Sequence, residues 1–193
     1  MQATVLYDKD TGHVFALATA VAALKAPAAD KPEEVAAALR AFAGGALPTR
    51  GYLDGAGSGF QKTEFSIPVN RLAVLAAEVE PAVMLSPIRY AVRDEALELS
   101  PSDPLPQLAA VNRDGLKVTL SAECLEELPV LLQVVPEPGA AGEAQTVQGV
   151  FRPASATKQE LTLMLGTPLS NGGHGVLMLI RGFRSGIRRI VLP

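Results

Sequence analysis

AQTVQGVFR (144–152), KQELTLML (158–165), HGVLMLIRGF (174–183) and SGIRRIVL (185–192) follow one another with little other than glycine, proline and small polar residues between them. Each run has the length of an ordinary strand and carries β-branched or long apolar side chains. A lone hairpin leaves its apolar face in water, so the four runs predict strands that pair with one another or with strands upstream. VLLQVV (130–135), LTLML (161–165) and VLMLI (176–180) are apolar on both faces, where a half-buried strand would alternate. Such strands need cover on both sides, supplied by a second sheet or by another subunit.

Working outward, ATVLYD (3–8) and HVFALAT (13–19) flank Lys9-Asp10-Thr11-Gly12 and predict a hairpin whose Gly12 takes a positive φ. Asp8, Asp10 and Gly12 invite comparison with a calcium loop. The spacing fails, because the fifth position is Gly12 and no Glu stands six residues further on. DKPEEVAAALRAFAGG (30–45) has a capping Asp30, Pro32 in the first turn, Glu33 three after the cap and a Gly44-Gly45 stop, which predicts a helix over about 31–43. Its face of Val35, Leu39 and Phe42 should cover a sheet.

The stretch from Arg50 to Lys62 carries Gly55, Gly57 and Gly59. This is GxGxG rather than GxGxxG, no GK[ST] closes it and no helix opens behind it, so the cause of phosphate affinity at a helix N-terminus is missing. A mobile arm that orders only under another surface is expected. Phe65, Ile67 and Val69 alternate as a short strand, and the spacing of Leu72, Leu75, Ala76 and Val79 predicts a helix from Asn70 to about Val79, stopped by Pro81. IRYAV (88–92) and ALEL (96–99) form a second hairpin about Arg93-Asp94-Glu95. Pro101, Pro104 and Pro106 mark a possible linker over 101–106, dividing an N-terminal β-rich region with the helix (1–100) from a C-terminal β domain (107–193); a single domain is the alternative. Asn112 to Gly115 is a turn before the strand LKVTL, and Ser121 predicts a cap for a short helix AECLEEL (122–128).

The expected fold is therefore mainly β, with about ten strands in antiparallel sheets, a sandwich or barrel-like arrangement, one clear covering helix at about 31–43 and one or two short helices. A chain of 193 residues buries a core without disulfides or metal. The single Cys124, among apolar neighbours, reads as a packed small hydrophobe and excludes a thiolate zinc cluster. No charged n-region with an apolar core opens the sequence, and no apolar run approaches the ~20 residues that span a bilayer. A protein without a membrane span is expected, cytoplasmic or exported without a classical signal as part of an assembly.

Charge is nearly balanced, with a net −3, but unevenly placed. Residues 78–143 hold twelve acids and four bases; residues 144–193 hold one acid, Glu160, and six bases. An acidic middle and a basic end suit complementarity within the fold or between copies. With few bases and 5% aromatics the chain carries no nucleic-acid footprint. His13 and His174 have no Asp, Glu or Cys partner at motif spacing, His174 falls in an apparent turn, and GxSxG, HExxH and CxxC are absent.

These observations lead to the expectation of a non-enzymatic subunit without cofactor or metal, making protein–protein contacts in a larger complex, such as a homo-oligomeric tube, shell or tail-like particle. The alternative is an accessory β-sandwich recognition module for carbohydrate or another protein, disfavoured by the lack of Trp and the presence of only three Tyr. Arg181, Arg184, Arg188 and Arg189 are the candidate interface. They either guard an edge strand or pair, through Arg184 and Arg188, with carboxylates of a neighbour drawn from Glu78 to Glu143.

Overall fold

The structure is a computed structural model that describes residues 2–19, 47–50, 62–65, 67–85, 89–100, 106–156 and 158–193. The expected helix at 31–43, the glycines 55, 57 and 59 and most of the proline-rich linker lie outside these residues. Fourteen strands occur among the described residues: β1 (Gln2–Asp8), β2 (Val14–Thr19), β3 (Leu47–Arg50), β4 (Lys62–Phe65), β5 (Leu72–Glu78), β6 (Tyr90–Arg93), β7 (Ala96–Leu99), β8 (Gln107–Asn112), β9 (Gly115–Leu120), β10 (Leu128–Pro136), β11 (Gln145–Phe151), β12 (Gln159–Met164), β13 (Gly172–Ile180) and β14 (Gly186–Leu192). One short helix, α1 (Pro81–Leu85), and a 3-10 turn (Val69–Arg71) accompany them.

Every strand pair is antiparallel. The central sheet has the order β11-β10-β13-β14, an outer sheet β12-β9-β8, and an N-terminal sheet β2-β1-β5; β3-β4 and β6-β7 are separate hairpins. The sheets are open and stacked in layers, and none closes into a barrel among the described residues.

The two-residue period of the doubly apolar strands explains the stacking. On β10, Leu128, Val130, Leu132 and Val134 face the outer sheet, together with Val176, Met178 and Ile180 of β13. Leu131, Leu177 and Leu179 point the other way, into a cluster with Leu6, Phe65, Ile67 and Leu72. A third cluster lies beyond the N-terminal sheet, where Ala3, Val5 and Val14 meet Val79, Val83 and Val92. The apolar second faces of β10 and β13 are thus covered by Leu6, Phe65, Ile67 and Leu72 of the same chain.

Three local expectations are corrected. Residues 72–78 form β5, paired along its whole length with β1, Gln2 opposite Glu78 and Asp8 opposite Leu72. The helical spacing was ambiguous because the strand is apolar on both faces: Leu72 and Val74 enter the second cluster, Leu75 and Ala77 the third. Residues 121–127 form a loop bridged through Cys124 and Ala154, not a helix. Pro129 biases Leu128 toward extended backbone, and Leu128 opens β10. His174 lies inside β13, opposite Pro136 and Ile190, rather than in a turn.

Other readings hold. Gly12 has φ +81 in the β1-β2 connection, and Asp94 and Glu95, with φ 46 and 61, make the tight β6-β7 turn. Cys124 is buried, and β8-β9 turns at Asn112 to Gly115. Among the described residues no helix is long and apolar enough to cross a membrane.

Candidate functional site

Among the described residues the N-terminal sheet and β4 cover β10, β13 and β14, and no β11 residue belongs to their shared apolar cluster; β11 is the edge strand of the central sheet. Beside β11 the β1-β2 turn borders a notch of about 420 Å³. Lys9, Asp10 and Arg71 form its N-terminal wall; Pro129 and Val130 of β10, Gln148 to Val150 of β11, and Arg181 just past β13 form the rest.

That wall is held by a buried polar network. Asp8, at the end of β1, is fully buried, and its carboxylate accepts four hydrogen bonds. Arg71 donates from Nε to Oδ1 and from Nη2 to Oδ2, each at 2.9 Å. Thr11 donates to Oδ2 from its backbone N–H at 3.1 Å and from its hydroxyl at 2.5 Å. The third guanidinium nitrogen of Arg71 reaches Asp10 Oδ2 at 2.9 Å. A buried guanidinium is tolerated when its fork is matched in this way. The Lys9 N–H also donates to the Arg71 carbonyl at 2.8 Å, which joins the turn to the Arg71 backbone as well as to its side chain.

His13 ties this network to the C-terminal half. Its Nε2 lies 2.8 Å from the Phe183 carbonyl, which can only accept, so the ring proton is on Nε2. Its Nδ1 lies 2.9 Å from the Thr11 hydroxyl, whose one proton goes to Asp8, so with the ring neutral this is a close contact and not a second hydrogen bond. Complete burial lowers the His13 pKa to about 4, against the smaller upward pull of the Phe183 carbonyl and Asp8; Arg93 lowers it further. The ring is therefore neutral near pH 7.

The arginines of the candidate interface divide. Arg181 lines the notch. Arg184 is exposed, and Arg188 is half-buried on β14 opposite Val176. Arg189 points to the opposite face from Arg188 and is spent within the chain: it forks onto Glu137 at 2.7 and 2.8 Å. That hydrogen-bonded contact holds the Glu137 carboxyl below its usual range despite partial burial. Arg71 is likewise committed, which leaves Lys9 and Arg181 as notch cations with no side-chain hydrogen bond or ion pair among the described residues.

Neither histidine is presented to a ligand. His13 is 1% exposed; His174 is 2% exposed, and its Nε2 donates to the Ser170 carbonyl at 3.0 Å. Among the described residues no group of three His, Cys, Asp or Glu could hold a metal ion.

Reading the sequence missed Lys9, Asp10 and Arg71 as site residues. Asp8 and Asp10 were visible as a pair, but their partner lies 63 residues from Asp8 and carries no local mark. No protein-family model, curated protein or solved structure matches the chain.

Proposed function

We propose that the chain is a non-enzymatic subunit that makes protein–protein contacts within a larger complex, and that the basic notch receives an acidic surface of its partner. The observation that carries this reading is the pair of cations, Lys9 and Arg181, that line one concave site and have no ion-pair partner among the described residues. Such a site attracts negative charge and orients it. The doubly apolar strands β10 and β13 add nothing to this reading, because their second faces are covered inside the chain, whereas LTLML alternates after all, with Thr162 and Met164 exposed. Burial of His13 and His174 supports a non-enzymatic role, since neither ring is open to a substrate. Carbohydrate recognition gains no support from Tyr7 and Tyr90, which are half-buried against the third apolar cluster.

The test is a titration of the dilute, fluorescently labelled protein with a hexaglutamate peptide. Binding should weaken as salt screens the charges, and it should be lost in the double variant K9E/R181E. Equal affinity of the wild type and K9E/R181E for the peptide, or no binding by either, refutes the notch as a contact site.

A further inference from the structure

The loop from Ser121 to Glu127 leads directly into the β10 wall of the notch, and Pro129 follows Glu127 by two residues. Extended chain covers at most about 7 Å over that separation. Loop and notch therefore share one end of the central sheet. The loop has the opposite character to the notch. Glu123, Glu126 and Glu127 are exposed, and Leu125 between them is 84% exposed, the most exposed large apolar side chain among those described.

This knob is held in shape. The Ala154 N–H donates to the Cys124 carbonyl at 2.9 Å and the Cys124 N–H returns a bond at 3.4 Å. The buried Cys124 thiol donates to the Glu126 carbonyl at 2.8 Å. Anchoring Cys124 inward turns Leu125 outward. Among the described residues, none of the three glutamates makes an ion pair or hydrogen bond through its carboxylate, with Lys9 and Arg181 or with any other residue. Acid and base lie at the same end of one sheet and make no ion pair with each other.

Resting on the proposed contact role of the notch, we infer that its partner is a second copy of this chain, docked isologously. Leu125, Glu126 and Glu127 of each copy enter the notch of the other. In a two-fold contact one patch must be complementary to itself, so knob and socket have to lie side by side on each copy. Here they do. Glu126 and Glu127 then meet Lys9 and Arg181, while Leu125 covers Pro129 and Val150, the latter itself 41% exposed.

A two-fold arrangement permits a charge-swap test. K9E/R181E makes socket and knob both acidic, and E126K/E127K makes both basic. Each variant should therefore fail to dimerise with itself, its dissociation constant rising about tenfold or more. An equimolar mixture of the two should recover a heterodimer, because both contacts of that pair become attractive again. The single-chain variant K9E/R181E/E126K/E127K should dimerise with itself. The readout is mass by light scattering after size exclusion, over a concentration series at low and high salt. The inference is overturned if the wild type is monomeric throughout, if it dimerises as tightly as both reversal variants, or if neither the mixture nor the four-fold variant recovers the dimer. A monomeric wild type that still binds hexaglutamate through Lys9 and Arg181 would leave the notch as a contact site for a different protein.

Discussion

Replacing Asp8 with Ala should be among the most damaging substitutions in the molecule. The change removes the acceptor of four hydrogen bonds from a fully buried position. It also strands the Arg71 guanidinium, only 4% exposed, with Asp10 as its remaining carboxylate, and Asp10 is itself on the surface. Breaking a buried ion pair from one side costs about 3–5 kcal/mol, because the surviving charge is neither hydrated nor matched. The released Thr11 N–H adds about 1 kcal/mol. In a chain of this size about 1 kcal/mol moves the midpoint by some 2–4 °C, so the melting temperature should fall by roughly 10 °C or more. Urea denaturation followed by far-UV circular dichroism measures the loss directly, with the slope m unchanged. The decisive comparison is D8A/R71M. Removing the stranded cation should recover part of the loss, so the double variant should be less destabilised than the sum of D8A and R71M by about 2 kcal/mol. If D8A costs less than about 1 kcal/mol, or the single losses add to within about 0.5 kcal/mol, then solvent screens this pair and it does not lock the junction.

Acid should weaken the same junction through His13. Its folded pKa of about 4 lies below the ordinary 6.5, so the unfolded chain binds the extra proton. Stability is therefore unaffected by this group above about pH 6.5 and falls as the pH drops toward 4, by up to about 1.4 kcal/mol per pH unit and roughly 3 kcal/mol in all. Urea midpoints taken stepwise over that window should lose this slope in His13→Asn, and a variant with the wild-type slope would show that another group titrates. Gly12→Ala should destabilise by about 3 kcal/mol or more by the same assay, because φ is +81 and an added Cβ would run into the Val92 carbonyl. A loss under about 1 kcal/mol would mean that the turn relaxes away from β6.

The central sheet was legible in the sequence because its strands carry a strong signal over lengths of seven to nine residues. VLLQVV and VLMLI could be nothing but buried, and their need for two covers was correctly deduced. Which cover they take was not deducible. Leu6, Phe65, Ile67 and Leu72, which supply it, sit in segments whose local patterns resemble those of any half-buried strand. The misreading of Leu72 to Glu78 has the same root: a strand apolar on both faces places apolar residues at helical spacing too, and only pairing with β1 decides between them. The site was harder still to read. Arg181 was singled out because charges are rare near the C-terminus. Lys9 and Arg71 gave no sign, since the notch exists only where the β1-β2 turn meets a strand more than a hundred residues later.

The uneven charge of the chain acquires a spatial meaning once β10 is placed. Glutamates flank it at both ends, Glu126 and Glu127 before Leu128 and Glu137 after Pro136, and arginines from the basic C-terminal part lie at both ends as well. At the Pro136 end the charges close within the chain. Arg189 forks onto Glu137, whose carboxylate lies over Gly173 in space that any Cβ there would occupy. At the Leu128 end Glu126 and Glu127 make no ion pair among the described residues, and the loop that carries them is fixed through Cys124. Among the described residues one sheet thus carries a closed electrostatic junction at one end and an open one at the other. If complementarity served only to stabilise the fold, both ends would be expected to close. The open end, with an exposed leucine between its carboxylates, is where the proposed contact with a second copy would bring the two charges together.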